Sequence, residues 1–199
     1  MSGHESTRPA AAAPLPFQLH GYAILSDDDC IADEHGQFPE ILKNEADWAY
    51  FQAGLDQADL TLLGRRSHEA SPNVRQRRRM IMSRSVSALE ERADGIWWNP
   101  EGLALEKALN AVLQAGAHVA VPGGRDVFDH VGPDRFATFH LARALGRRLP
   151  GGRGLFSTCE AGCPAETILA GGGLVPDATI WLDEPAHVSL TVWRRPGVV

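Results

Sequence analysis

The chain has 199 residues, enough for one domain with a full core and a short tail, and its 44% hydrophobic and 22% charged residues are those of an ordinary soluble globular protein. A net charge of −6 argues against nucleic acid as a partner, since general binding to it needs a basic surface, yet it leaves room for local basic pockets. No apolar run approaches the roughly 18 residues that span a bilayer, so no membrane partner is expected.

Met1 to Pro16 is rich in Ala, Pro and small polar residues, and Pro9, Pro14 and Pro16 interrupt its only Ala run. It has neither a basic start nor the apolar segment of about 7–15 residues that marks a signal peptide. The expectation is a disordered leader over 1–16, followed by a single domain over 17–199, in the cytoplasm.

Leu19 to Leu25 is apolar and reads as the first strand, ended by Asp27, Asp28 and Asp29. A polar loop runs on to Asn44, and a loop of that length without structure of its own is usually functional. Glu45 to Leu55 carries Trp48, Phe51 and Leu55 at helical spacing, with Asn44 as N-cap. Asp59 to Leu63 is a strand ending at Gly64, and Arg65 to Ala70 suits a helix. Strands follow at Arg79 to Ser83 and Ile96 to Trp98, then a helix from Leu103 to Gln114. His118 to Val121 is a buried strand leading into Pro122-Gly123-Gly124, with a helix from Asp126 and a strand from Phe136 to Ala142. Ala178 to Leu182 and Val188 to Trp193 form a closing antiparallel hairpin. Strands alternating with helices predict an α/β fold: a mostly parallel central sheet covered on both faces, with an antiparallel edge at the C-terminus. There is no internal repeat, no G-x-G-x-x-G and no P-loop motif.

The three cysteines are Cys30, Cys159 and Cys163. An odd number does not make a disulfide framework, and the C-x3-C pair has no neighbouring His or Cys to complete a zinc site. Free loop thiols and no metal are expected. Arg75, Arg77, Arg78 and Arg79 form a basic run that reads as a solvated loop; a nucleic-acid patch is disfavoured by the net charge.

Several short motifs matter through their order. A strand with Ala23 and Ile24 leads into a loop containing Ile31 and Pro39. A helix bearing Asp47-Trp-Ala-Tyr-Phe51 follows, then a strand ending Leu63-Gly64-Arg65-Arg66, then Arg77 and a strand ending Met82-Ser83-Arg84. Last comes Val121-Pro122-Gly123-Gly124-Arg125-Asp126-Val127-Phe128. This succession resembles the dihydrofolate reductase superfamily from Leu19 to Phe156, most specifically in the Gly-Arg after the second strand and the late Gly-Gly.

The resemblance implies a three-layer dihydrofolate-reductase-like fold, NADPH as cofactor and a small pterin as substrate, dihydrofolate or a relative such as dihydromethanopterin. It leaves a homodimer open. It makes Asp47 the carboxylate that holds the pterin's 2-amino group and adjacent ring nitrogen. A planar edge with two donors fits a carboxylate fork, and partial burial would raise the pKa of this acid so that it helps supply protons. Without a ligand, Asp47 is simply an acid in a helix's first turns, favoured there by the dipole. On the same reasoning Phe51 is a wall over the pterin, Ala23 and Ile24 its floor, Phe128 lies beside the nicotinamide and Arg77 grips the folate tail. Ile31, Gly64, Arg65, Arg66, Ser83 and Arg84 fall to the cofactor, the arginines gripping a 2′-phosphate. Gly123, Gly124, Arg125, Asp126 and Val127 take the pyrophosphate, with the Gly-Gly bond cis.

The sequence departs from the family pattern in four places. Glu40 follows Pro39 where the family usually has Trp, and Ala142 stands where a Thr often backs the carboxylate. Gly152-Arg153-Gly154 replaces a Gly-Asp-Thr turn, and Pro122 precedes the glycines. Two alternatives are therefore carried: a riboflavin-pathway pyrimidine reductase, which shares the fold and NADPH but generally lacks the helix carboxylate, and a non-catalytic binding protein on the same scaffold.

Overall fold

The computed structural model describes residues 16–197. The leader expected over 1–16 lies outside them apart from Pro16, whose carbonyl accepts the Gly116 N–H at 2.7 Å. In chain order the elements are β1 (Gln18–Leu25), β2 (Cys30–Ala32), α1 (Glu45–Asp56), β3 (Leu60–Gly64), α2 (Arg65–Ala70), β4 (Arg79–Met82), β5 (Leu89–Arg92), β6 (Gly95–Trp98) and α3 (Leu105–Val112). The second half adds β7 (His118–Gly123), α4 (Arg125–Val131), β8 (Phe136–Ala144), β9 (Arg153–Gly154), α5 (Ala165–Gly171), β10 (Val175–Pro176), β11 (Ile180–Asp183) and β12 (Val188–Arg194).

The main sheet runs β10-β12-β8-β1-β7-β3-β4-β6-β5, with β11 added beside β12. Every pairing from β8 across to β6 is parallel, and both edges are antiparallel. The expected closing hairpin is present as β11 and β12. The strand β5 and the small β2–β9 ladder were not predicted, because runs of two to four residues are too short to carry a readable alternation.

Side chains alternate across the sheet and sort the helices into two outer layers. Leu19 and Leu25 of β1, Val119 and Val121 of β7 and Phe139 and Leu141 of β8 face the main core, which α3, α4 and α5 cover with Leu105, Leu109, Val127, Phe128 and Leu169. On the opposite face Ile24, Ala142 and Leu190 pack with Leu42 and Tyr50 under α1. Leu63, Ile81 and Trp97 form a smaller cluster there, and His68 of α2 meets the Trp97 ring edge-on.

The Asn44 side chain accepts the Asp47 N–H at 3.0 Å, as expected of an N-cap, and donates to Asp183 at 2.8 Å, tying the start of α1 to the hairpin. Trp48 departs from the expected apolar face, being 59% exposed, while Leu55 is buried. Gly54 lets α1 lie close on the sheet: a Cβ there would sit 2.6 Å from the Tyr22 ring. Gly54→Ala should therefore destabilise the protein by about 1–3 kcal/mol, overpacking outweighing the helix-propensity gain of about 1 kcal/mol. Denaturant midpoints measure this, and a more stable variant would refute the tight seat.

The segment after β1 is anchored at its root. Asp27 accepts the Gly146 N–H at 2.9 Å, Asp28 accepts the Ser26 hydroxyl at 2.6 Å, and Asp29 pairs with Arg143, which also reaches Glu166 of α5 at 2.7 Å. The three acids that end the strand in the sequence thus each fasten the long loop. Beyond them the loop holds β2 and one 3₁₀ turn, Glu40–Leu42.

Candidate active site

The carboxyl ends of the parallel strands lie along one edge, and register sets the turns that follow them side by side. Gly64 pairs with Met82, and Leu63 pairs with Gly123. Arg65 and Arg66 open α2, Ser83 and Arg84 follow β4, and Gly123 and Gly124 pass from β7 into α4, so these turns are one or two strand spacings apart, about 5–10 Å. Open α/β sheets bind ligands at such an edge. The helix α1 starts at this edge and runs back along the sheet, which puts Asp47 in its first turn toward the same side.

The Gly123–Gly124 peptide is cis, and Gly123 has φ +89°. A Cβ on Gly123 would lie 2.5 Å from the Phe128 ring, whereas one on Gly124 would meet nothing within 4 Å. The backbone at Gly124 is therefore open to a close ligand, and the turn fits a phosphate group. The cationic side chains fit one too. Arg65 reaches Glu69 only at 3.9 Å and Arg84 reaches Glu101 only at 4.0 Å, and both are exposed. Among the described residues Arg66 has no carboxylate partner within 4.0 Å. The Ser83 hydroxyl bonds Ser85 at 3.0 Å.

Asp47 is half-buried, and burial pushes its pKa up to about 6. Among the described residues no side chain or backbone donor bonds its carboxylate, so both oxygens are free for a ligand. Phe51, one turn on, contacts the Tyr22 ring at 6.0 Å and the Trp48 ring at 5.6 Å, making an aromatic rim.

Other expected site residues sit differently. Ala23 and Ile24 point to opposite faces, Ala23 into the main core and Ile24 toward α1, so they cannot both floor one flat ring. Tyr22 shares the face of Ile24. Phe128 is fully buried among Phe136, Phe139 and Phe156, and acts as packing beneath Gly123 instead of a surface beside a ligand. Val127 is likewise core. Arg77 is already engaged: it donates to Asp56 at 2.6 and 2.9 Å and to the Gln52 side chain at 2.8 Å, so it must exchange partners to grip a substrate. Arg125 pairs with Glu160, turning its guanidinium toward a cavity of about 590 Å³ lined by Cys30, Gly152, Arg153 and Cys159. Asp126 is exposed, and Ile31 lies half-buried in β2 against the main core.

A polar group that sequence reasoning missed lies under α1. His20, Thr138 and His140 share one sheet face with Tyr22, and a cavity of about 240 Å³ beside them is lined also by Gly54, Gln57, His118 and Arg194. The available signal was alternation: His20 and Tyr22 in β1, and Thr138 and His140 in β8, are hydrogen-bonding side chains two residues apart.

The three layers and the mostly parallel sheet with antiparallel edges are those of the dihydrofolate-reductase-like fold. Solved structures with that fold superpose on the chain. One is a dihydrofolate reductase from Enterococcus faecalis complexed with NADP(H) and RAB-propyl, at 16% identity and TM-score 0.64, covering 90% of this chain and 96% of that one. A second is a diaminohydroxyphosphoribosylaminopyrimidine deaminase/5-amino-6-(5-phosphoribosylamino)uracil reductase from Thermotoga maritima, at 15% identity and TM-score 0.59, covering 89% of this chain but 56% of that one. A third, described as a putative riboflavin biosynthesis protein from Shewanella sp. PV-4, has 16% identity and TM-score 0.58, with coverage of 89% and 98%. By sequence, no family model and no curated protein matches. Among the described residues no helix is long and apolar enough to cross a membrane, and no group of three His, Cys, Asp or Glu could hold a metal.

Proposed function

We propose that the chain is an NADPH-dependent reductase of a dihydropterin, dihydrofolate or a relative such as dihydromethanopterin. The observation that carries this reading is Asp47: a half-buried carboxylate with no protein donor, its pKa pushed up to about 6, on the helix that flanks the ligand edge. Such a group sits ready for the two-donor edge of an aminopterin ring, and its raised pKa eases the uptake and release of a proton near neutral pH, which an imine nitrogen needs as its carbon is reduced. NADPH supplies the hydride. The chain's own contribution is to hold the two rings face to face, with Phe51 and Ile24 walling the pterin, and to exclude water with the anchored loop from Asp27 to Asn44.

Arg65, Arg66 and Arg84 serve the phosphorylated end of the cofactor. Arg65→Ala with Arg66→Ala should raise the Kd for NADPH by about tenfold to a hundredfold, from two lost charge-assisted contacts, and leave the Kd for NADH nearly unchanged. Tryptophan fluorescence titration reads both values; equal weakening for both nucleotides would remove the 2′-phosphate from these arginines.

A riboflavin-pathway pyrimidine reductase is the second reading, favoured by the superposition on one structure whose description names a uracil reductase and on another described as a riboflavin biosynthesis protein. Following NADPH absorbance with dihydrofolate, dihydromethanopterin and the riboflavin-pathway intermediate separates them. The pterin reading expects turnover with a dihydropterin alone. Turnover with the ribityl substrate alone would replace it, and binding of NADPH with no turnover on any would favour a non-catalytic binding protein.

A further inference from the structure

Five side chains beneath α1 are joined end to end. His118 Nδ1 lies 3.1 Å from His20 Nε2, and His20 Nδ1 lies 2.7 Å from the Thr138 hydroxyl oxygen. That oxygen lies 3.2 Å from His140 Nε2, and His140 Nδ1 lies 2.7 Å from the Tyr50 hydroxyl oxygen. The links join four elements, β7, β1, β8 and α1. The rings are held in place: His20 stacks on His118 at 5.1 Å and 12°, and His140 stacks on Tyr22 at 4.4 Å and 5°.

Each central imidazole uses both ring nitrogens in this chain, one toward each neighbour. A neutral imidazole donates at one nitrogen and accepts at the other, and a hydroxyl does both at one oxygen. The chain is therefore satisfied in either of two directions. In one, every donor points from His118 toward Tyr50; in the other, every donor points back. A line of groups with two equivalent directions is the requirement for passing a proton along it.

The two ends lie in different places. His118 is exposed at the amino end of β7, near the cavity mouth, where Asp59 accepts its backbone N–H at 2.8 Å. Tyr50 belongs to α1, one helical turn from Asp47. The other charged group facing the chain is Arg194 of β12, paired with Asp177 at 2.7 Å. Arg194 and mutual repulsion add to the main effect, burial, in keeping both His20 and His140 neutral, as relaying groups must be.

We propose that His118, His20, Thr138, His140 and Tyr50 form a proton relay from solvent at the amino edge of the sheet to the helix turn that carries Asp47. This rests on the reductase reading, in which one proton is consumed per hydride transferred. The step balances as follows. A solvent proton adds to His118 Nε2, and His118 releases its Nδ1 proton to His20 Nε2. His20 releases its Nδ1 proton to the Thr138 oxygen, which passes its own to His140 Nε2. His140 releases its Nδ1 proton to Tyr50, which gives up its original hydroxyl proton to the substrate nitrogen that hydride addition at the neighbouring carbon leaves in need of one. One proton enters, one leaves, every residue ends neutral, and the direction of the chain is reversed.

Thr138→Val tests this, because it removes only the central hydroxyl and keeps the shape. Turnover at saturating substrate should fall by about tenfold to a hundredfold, most at high pH where protons are scarce, with an altered solvent deuterium effect and unchanged NADPH affinity. Thr138→Ser, which restores the hydroxyl, should recover most of the rate. A second readout needs no activity. Nitrogen-15 spectra of the imidazoles should show His20 and His140 in the same tautomer, exchanging together, and Thr138→Val should uncouple them. Opposite tautomers, or an unchanged rate and pH profile in Thr138→Val, would overturn the relay. A wild-type protein inactive on every substrate would overturn the reductase reading instead, and the tautomer spectra would then decide the chain by themselves.

Discussion

Replacing Asp47 by Asn is expected to remove most turnover and, at the same time, to make the protein more stable. Turnover should fall by about a hundredfold to ten-thousandfold, the usual contribution of a positioned acid or base, while NADPH affinity stays nearly unchanged. The stability gain follows from the pKa. Burial raises this carboxyl from 3.8 to about 6 in the folded state, so the folded protein holds a proton that the unfolded chain releases between those values. Stability contributed by Asp47 is therefore fully present below about pH 4, falls as pH rises through 6, and is absent at pH 7. A shift of that size corresponds to about 3 kcal/mol, and the neutral Asn avoids most of that penalty, so about 2 kcal/mol should return at pH 7. Paired rate and denaturation measurements at pH 7 check both effects. A variant that kept its activity would remove Asp47 from the reaction, and one that lost stability would mean its carboxylate has protein partners.

Acidification is expected to weaken the fold through His20 and His140, whose pKa values burial and neighbouring cations lower from 6.5 to about 4. The sign is opposite to that of Asp47. Below pH 6.5 the unfolded chain takes up protons that the folded protein refuses, so stability is full above 6.5 and declines as pH falls toward 4. His140 contributes about 3 kcal/mol across that window, and the less buried His20 contributes less. Asp47 regains part of this as it protonates, but two groups oppose one, and the net effect is loss. Urea midpoints between pH 7 and 4.5 should fall in the wild type and fall much less in a His20→Gln/His140→Gln variant. Equal slopes in the two proteins would mean that these rings titrate normally.

The fold was legible in the sequence where periodicity and turns agreed. The parallel strands read as short apolar runs because both faces are covered, and Gly64 and Gly123-Gly124 ended two of them at the carboxyl edge. The cap at Asn44 followed from residue type alone. The β2–β9 ladder escaped notice because it is formed between segments more than a hundred residues apart, and nothing local in Cys30 or Gly154 announces a partner. Of the residues expected at a site, Arg65 and Arg84 stand exposed beside the strand ends, whereas Arg77 and Arg125 are paired within the protein and Phe128 and Val127 are core. Adjacent residues in a strand face opposite ways, and that rule alone would have divided Ala23 from Ile24. Phe128 was harder: whether an aromatic beside a glycine turn fills the core or faces a ligand depends on how the following strand and a later loop place Phe136, Phe139 and Phe156 around it. The histidines went unread for the same reason, since each is ordinary alone and only the register of β1, β7 and β8 brings them together.

The most direct measurement is a crystal structure of the protein with NADPH and a dihydropterin. The account predicts the Asp47 carboxylate within hydrogen-bond distance of both the 2-amino group and the neighbouring ring nitrogen, the pterin beside Phe51, and the nucleotide phosphates between Arg65, Arg66 and the Gly124 backbone. A pterin seated elsewhere, with Asp47 facing water or protein, would contradict it.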